Sequence, residues 1–188
     1  MDELERIAAD AAGGDPLAAA ALVRATQSDV WRLCAALGDR ASADDLTQET
    51  YLRAFGSLHR FENRSSVRTW LLSIARRVCA DAVRSRRRRR LTLVRDDADL
   101  EGLLQRDDAV DLVTEGATVA DLLARLDPDR REAFVLTQLM GLPYAEAAEV
   151  AGCPVGTIRS RVARARADLV DSLSGVTEDD PRGDTAHA

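Results

Sequence analysis

A chain of 188 residues with only 4% aromatic content suits two small cores better than one large one, because a single large core wants more bulky rings. Ala and Leu dominate and strand-forming residues never cluster, so the expected fold class is all-α. A net charge of −6 argues against a nucleic-acid partner only if charge is spread evenly, and here it comes in blocks.

Residues 1–57 hold ten acids and five Arg, Arg60 to Arg95 hold twelve Arg and two acids, and Asp96 to Asp121 hold nine acids and one Arg. That alternation points to two basic modules separated by an acidic segment. Every basic side chain is Arg. No apolar run has the length of a signal peptide or a spanning helix, so the expectation is a cytoplasmic protein without membrane insertion. Cys34, Cys79 and Cys153 lack metal-ligand spacing and are expected as small buried thiols. With His59 and His187 the only histidines, and no phosphate-binding Gly loop, no metal, cofactor or catalytic set is expected.

Asp15-Pro16 is an N-cap and first-turn pair, and the helix it opens runs to about Leu37 with Val30, Leu33, Cys34 and Leu37 as one seam. Gly38 stops it. Ser42-Ala43-Asp44-Asp45 has capping-box spacing and predicts a second helix to about Leu58, with Leu46, Thr50, Ala54 and Phe55 facing inward. Asp45, Gln48, Glu49 and Leu52 share its other face. On spacing alone that face is either ordinarily solvated or a docking surface for a basic helical partner.

A polar loop, His59 to Ser66, carries Phe61 and leads into a third helix from about Val67 that buries Leu71, Ile74, Val78 and Ala82. Its outer face is expected to present Ser73, Arg76, Arg77, Ala80 and Arg84, followed by the run Arg86 to Arg90. Phe61 and Trp70 beside arginines are the ingredients for holding single-stranded DNA, with phosphates tracked by Arg and bases stacked on rings. Trp70 packing next to Leu71 in the core is an equal alternative. Asp96 to about Thr118 reads as a linker with one short helix around Leu100 to Leu104.

A second module opens near Val119. Asp127-Pro128 is again a cap-and-first-turn pair, Phe134, Val135, Leu139 and Met140 are its expected core, and Gly141 ends that helix. Tyr144 to Ala151 is a short helix ended by Gly152. In the next helix Val155, Ile158, Val162, Ala165 and Leu169 recur at helical spacing, and the segment from Gly152 to Arg166 has four Arg and no acid. The face opposite the apolar stripe carries Ser160, Ala163, Arg164 and Ala167, with Arg159 and Arg161 on its shoulders. Two helices joined by a short turn, the second basic with a bare face, form a helix-turn-helix pattern. Small residues let a helix press close to base edges, and Arg reaches guanine and phosphates. The tail from Gly175 is polar and expected to be disordered.

Three stretches in this order resemble a known family: Ala43 to Phe55, Arg68 to Arg76, and Leu126 to Arg166. They are similar to regions 2 and 4 of bacterial extracytoplasmic-function (group 4) sigma factors of RNA polymerase, and within the family to the sigma-C type of mycobacteria and relatives. The resemblance implies two small helical domains joined by a flexible acidic linker. The expected division is 1–95 (region 2-like), 96–118 (linker), 119–174 (region 4-like helix-turn-helix) and 175–188 (tail).

The resemblance further implies core RNA polymerase as partner, through its β′ clamp helices and β flap, with Asp45, Gln48, Glu49 and Leu52 on the clamp helices. Promoter DNA is the second partner. Phe61, Asn63 and Ser65 would line a pocket for a flipped base of the −10 element, with Trp70, Arg76, Arg77 and Arg84 on the strand. Thr157, Arg159, Ser160, Arg161, Ala163 and Arg164 would contact the −35 element, and an anti-sigma partner is plausible for the family. One departure is Pro143, which stands where the family usually has a Ser or Thr cap. The alternative in another functional class is a helix-turn-helix repressor that acts without polymerase.

Overall fold

A computed structural model describes residues 2–96 and 118–174. The expectations for most of the acidic linker and for the tail lie outside the described residues. Eight α-helices and no strands are found among the described residues: α1 Glu3–Ala12, α2 Pro16–Leu37, α3 Ala43–Ser57, α4 Val67–Asp96, α5 Val119–Ala124, α6 Pro128–Phe134, α7 Tyr144–Ala151 and α8 Val155–Ser174. None of them is long and apolar enough to cross a membrane.

Helix starts follow local chemistry. The Asp15 carboxylate accepts from Leu17 N at 2.8 Å with Pro16 in the first turn, and Asp127 accepts from Asp129 N at 3.0 Å and Arg130 N at 3.3 Å ahead of Pro128. Helix α1 is an addition to the elements expected from periodicity. A capping box starts it, with Asp2 accepting from Glu5 N at 2.7 Å and Glu5 accepting from Asp2 N at 2.8 Å. A second capping box, Thr118 with Asp121, starts α5.

The capping box expected at Ser42 does not form. A 3-10 turn over Arg40–Ser42 precedes α3, Asp39 accepts from Ser42 N at 2.8 Å, and the Ser42 hydroxyl is taken by Arg86 Nη2 at 2.7 Å. With ψ near 5°, Ser42 lacks the extended backbone that a capping hydroxyl needs. Gly38 is required by close approach: a Cβ there would stand 2.5 Å from Leu46 Cδ1 and 2.8 Å from the Cys34 carbonyl oxygen.

Helices α2, α3 and α4 pack around Val30, Leu33, Leu46, Leu71, Leu72, Ala75 and Val78, and α1 adds a smaller cluster around Ala8, Leu22, Leu58 and Val67. Leu22, Val30, Leu33, Leu71 and Leu72 are essentially inaccessible, each contributing about 1.5–3 kcal/mol by burial. Buried hydroxyls are satisfied inside this group: Thr26 Oγ1 bonds both the Leu22 carbonyl and the Tyr51 hydroxyl at 2.7 Å. The second group, α5 to α8, is built on Leu126, Ala133, Leu136, Ala147, Ile158 and Val162. Leu139 departs from expectation and is 46% exposed. Residues Val135–Leu139 form a π-helical turn, closed by Met140 N to the Val135 carbonyl at 2.9 Å, and the wider turn rotates Leu139 away from the core.

The two groups do not sit apart. Helix α7 lies along α4, and one continuous apolar cluster runs from Val30 and Leu72 through Leu136 and Met140 to Ile158.

Candidate polymerase and nucleic-acid interfaces

On α3 Leu46, Thr50 and Ala54 turn inward, which leaves Asp45, Gln48 and Leu52 exposed along one side. Leu52 is 70% exposed, an apolar residue in the middle of a charged face. Glu49 belongs to the same face but is engaged: Arg53 Nε reaches it at 2.7 Å while Arg53 Nη1 reaches Asp81 at 2.8 Å. Arg53, followed by Arg84, holds the Asp81 carboxyl below the usual carboxylate range.

The loop before α4 builds a small cavity of about 230 Å³ lined by Arg60, Phe61, Glu62, Arg64, Ser65 and Trp70. The Phe61 and Trp70 rings meet with centroids 4.9 Å apart and planes tilted by 40°. Both are half-buried, so each has one face on the core and one toward the cavity rim. Phe61 and Ser65 line the cavity as expected. Asn63 does not; it is exposed at the loop tip with φ 53°, a left-handed conformation that Asn tolerates.

The outer face of α4 is divided. Arg77 and Arg84 are exposed, Arg84 with Asp81 at 2.6 Å. Arg76, expected on the same DNA-directed surface, is instead covered by the second helical group. Its Nε and Nη2 donate to the two carboxylate oxygens of Glu132 at 2.6 and 3.2 Å, and Glu132 retains 12% of its side-chain exposure. Glu132 also raises the Arg76 pKa. Ser73 and Ala80, expected outward, are half-covered. Two further contacts close this seam: Thr69 Oγ1 donates to Glu146 at 2.6 Å, and Arg68, held by Asp29 of α2 at 2.6 Å, donates to the Met140 carbonyl at 2.8 Å. Arg68, Thr69, Glu132 and Glu146 join the two helical groups, a set of contacts the sequence pattern missed. Acids on two short helices of an otherwise basic module were the available signal.

The helix-turn-helix forms as the pattern expects. Gly152 ends α7 with φ 68°, a left-handed turn that favours glycine. Pro143 starts α7 with no side-chain cap. Ile158, Val162 and Ala165 are buried, while Arg159, Ser160, Ala163 and Arg164 are exposed and Thr157 is half-exposed at the start of the face. Among the described residues neither Arg159 nor Arg164 has an acidic partner. Arg161 is placed differently. It turns back from the reading face, pairs with Asp129 at the start of α6 and lies 3.7 Å from the Cys153 sulfur. Arg130 grips Asp168 through two contacts of 3.0 and 2.7 Å, and Arg166 bonds Gln138 at 2.9 Å, so α8 is held to α6 and the π turn along its length. Cys153 is half-exposed in the turn; Cys34 and Cys79 are buried.

The chain matches Sigma-70 region 2 over residues 22–89 and Sigma-70, region 4 over residues 117–169. It is 52% identical over 174 residues to the ECF RNA polymerase sigma factor SigC of Mycobacterium tuberculosis, covering 90% of this chain and 93% of that relative. It is 32% identical over 187 residues to the RNA polymerase sigma factor CnrH of Cupriavidus metallidurans, covering 94% and 98%. Among solved structures, CnrH in complex with the cytosolic domain of CnrY aligns with a TM-score of 0.70 at 30% identity, covering 93% of this chain and 99% of that one. The sigma factor RpoE in complex with the anti-sigma factor NepR from Bartonella quintana aligns with a TM-score of 0.61 at 28% identity, covering 81% and 94%. Both regions match in the order the helices occur, over nearly the full length of these relatives, and the chain belongs to the extracytoplasmic-function family of RNA polymerase sigma factors.

Proposed function

We infer that this chain directs core RNA polymerase to a set of promoters and helps open them. The observation that carries the reading is the outer face of α8, where Arg159 and Arg164 are exposed beside Ser160 and Ala163 and have no acidic partner among the described residues. A bare centre flanked by free guanidinium groups suits a helix entering the major groove at a −35 element. Arg161 then serves as a positioning residue through Asp129, with the base-reading role left to its neighbours.

The Phe61–Trp70 cavity, with Ser65 on its wall, takes a base flipped from the −10 strand, and the exposed Arg77 and Arg84 further along α4 follow the phosphates. Extruding that base costs a few kcal/mol, which stacking and phosphate contacts offset. Asn63 at the loop tip contacts the strand outside the cavity. Asp45, Gln48, Glu49 and Leu52 dock on the β′ clamp helices, and the region 4-like group meets the β flap. Residues 1–95 and 119–174 thus act as separable functional units in a cytoplasmic, non-catalytic subunit; bond formation belongs to the polymerase.

Arg76 can reach the −10 strand only after its pair with Glu132 opens, so the described arrangement is a resting one. Two relatives are solved with protein partners, one of them named an anti-sigma factor, which supports a similar partner here. No observation favours the polymerase-independent repressor. Run-off transcription with purified core polymerase on a promoter library tests the proposal: the chain should impose new start sites with shared −35 and −10 sequences. Unchanged start sites would end it.

A further inference from the structure

The seam between the two helical groups holds an unexplained charge. On one side of the seam a cavity of about 410 Å³ opens, within the 300–1,000 Å³ typical of small-molecule sites. Its walls come from both groups: Trp31 and Ala35 from α2, Leu123 from α5, Met140 after the π turn, and Arg131 from α6. The lining is mainly apolar, and Val119 and Leu139 at its margin are 65% and 46% exposed. Large apolar side chains left uncovered beside a concave wall are a surface awaiting a cover.

Arg131 gives the site its polarity. Its Nη2 donates to the Ala124 carbonyl at 2.6 Å, but Nε is buried with no hydrogen-bond partner. No carboxylate pairs with Arg131 among the described residues, and burial alone lowers its pKa. A half-buried guanidinium with an unbonded Nε and no carboxylate partner among the described residues is incompletely compensated, and an anion brought beside it supplies the missing charge. The acids that line the cavity are already engaged. Asp39 pairs with Arg86, and Asp121 closes the Thr118 capping box. Arg40 stands over the Trp31 ring at 5.8 Å and adds positive charge at the mouth.

We propose that this cleft binds a small amphipathic organic anion, of the class of a medium-chain or aromatic carboxylate, with its apolar body against Trp31, Ala35, Leu123 and Met140 and its carboxylate beside Arg131. Because both helical groups supply the walls, the ligand binds only when they are packed together. Occupancy therefore favours the state in which Glu132 covers Arg76, and linkage makes the ligand an inhibitor of −10 engagement. That consequence rests on the promoter reading; the binding itself does not.

Calorimetry on the full chain with octanoate and 1-naphthoate tests the site, with octanamide as the uncharged counterpart. The expected result is saturable one-to-one binding of the carboxylates, at least about tenfold tighter than octanamide. Arg131→Gln should erase that preference by weakening the carboxylates about tenfold. Ala35→Phe, which fills the cavity from α2 and leaves Arg131 intact, should abolish binding of both classes while the helical circular dichroism persists. No saturable carboxylate binding up to about 1 mM overturns the proposal. So does equal affinity for acid and amide in the unaltered chain, or unchanged binding by a folded Ala35→Phe protein. These measurements involve neither polymerase nor DNA, so their failure removes the site and leaves the promoter reading standing.

Discussion

Two arginine-bearing helix faces in this protein meet opposite fates. On α8, Arg159 and Arg164 face outward, and no acid among the described residues holds them. On α4, Arg76 is gripped at two points by Glu132, with Arg68 and Thr69 tied across the same seam. Both faces are basic in sequence, yet one is left open to solvent and the other is already spoken for by its own chain. What decides between them is whether an acidic helix of the other group lies opposite.

The largest effect is expected away from both faces, on the acidic surface of α3. Asp45→Arg with Glu49→Arg reverses the charge of the α3 face, whose side chains contribute little to the core, and should abolish capture of core polymerase in a pull-down while the helical spectrum is unchanged. On the free face, Arg164→Ala should cost about 1–3 kcal/mol of discrimination at one −35 base pair, read by competition between promoter variants. An equal loss on all sequences would reduce Arg164 to a phosphate contact. On the covered face, Glu132→Gln keeps the shape but removes the charge holding Arg76. It should weaken the seam by about 1–2 kcal/mol, as expected for a charged hydrogen bond that is partly screened, and raise the free chain's affinity for −10 single strands severalfold. Unchanged affinity would mean that the seam does not limit access.

Smaller effects sharpen the picture. The Asp81 carboxyl is depressed by Arg53 first and Arg84 second, so its contribution to stability is present at neutral pH and is lost as pH falls through the depressed value. Because Asp81 and Arg53 are about half exposed, Asp81→Asn should change stability by no more than about 1 kcal/mol, with the difference from the parent vanishing in acid. Thiol labelling should change least of all: Cys153, half-exposed beside Arg161, reacts in the native protein, whereas Cys34 and Cys79 wait for unfolding.

Much of the candidate site was readable in the residues themselves. Asp15-Pro16, Asp127-Pro128 and Gly152 mark helix ends through local hydrogen bonds and backbone preference, and each acts where it was expected. The stripe of Ile158, Val162 and Ala165 needed only helical periodicity, and the exposed Ser160, Ala163 and Arg164 follow from it. Helix α1 was missed although Asp2 and Glu5 carry the capping-box spacing. The Ser42 cap was expected and does not form: the Ser42 backbone is not extended, and Arg86, distant in sequence, bonds its hydroxyl. Leu139 was assigned to the core because a π turn leaves no trace in a 3.6-residue pattern.

By itself, then, the sequence determined that the longer segments α2, α3, α4 and α8 are helices, which face of each is apolar and which carries arginine, since these depend on neighbours within a few residues. Only the tertiary structure decided that Arg76 is occupied, that Arg161 supports α8 through Asp129, and that Arg131 lines a cleft with no carboxylate partner among the described residues. Each of those outcomes turns on whether a distant helix brings a carboxylate within hydrogen-bonding reach, and periodicity along one helix holds no information about what packs across from it.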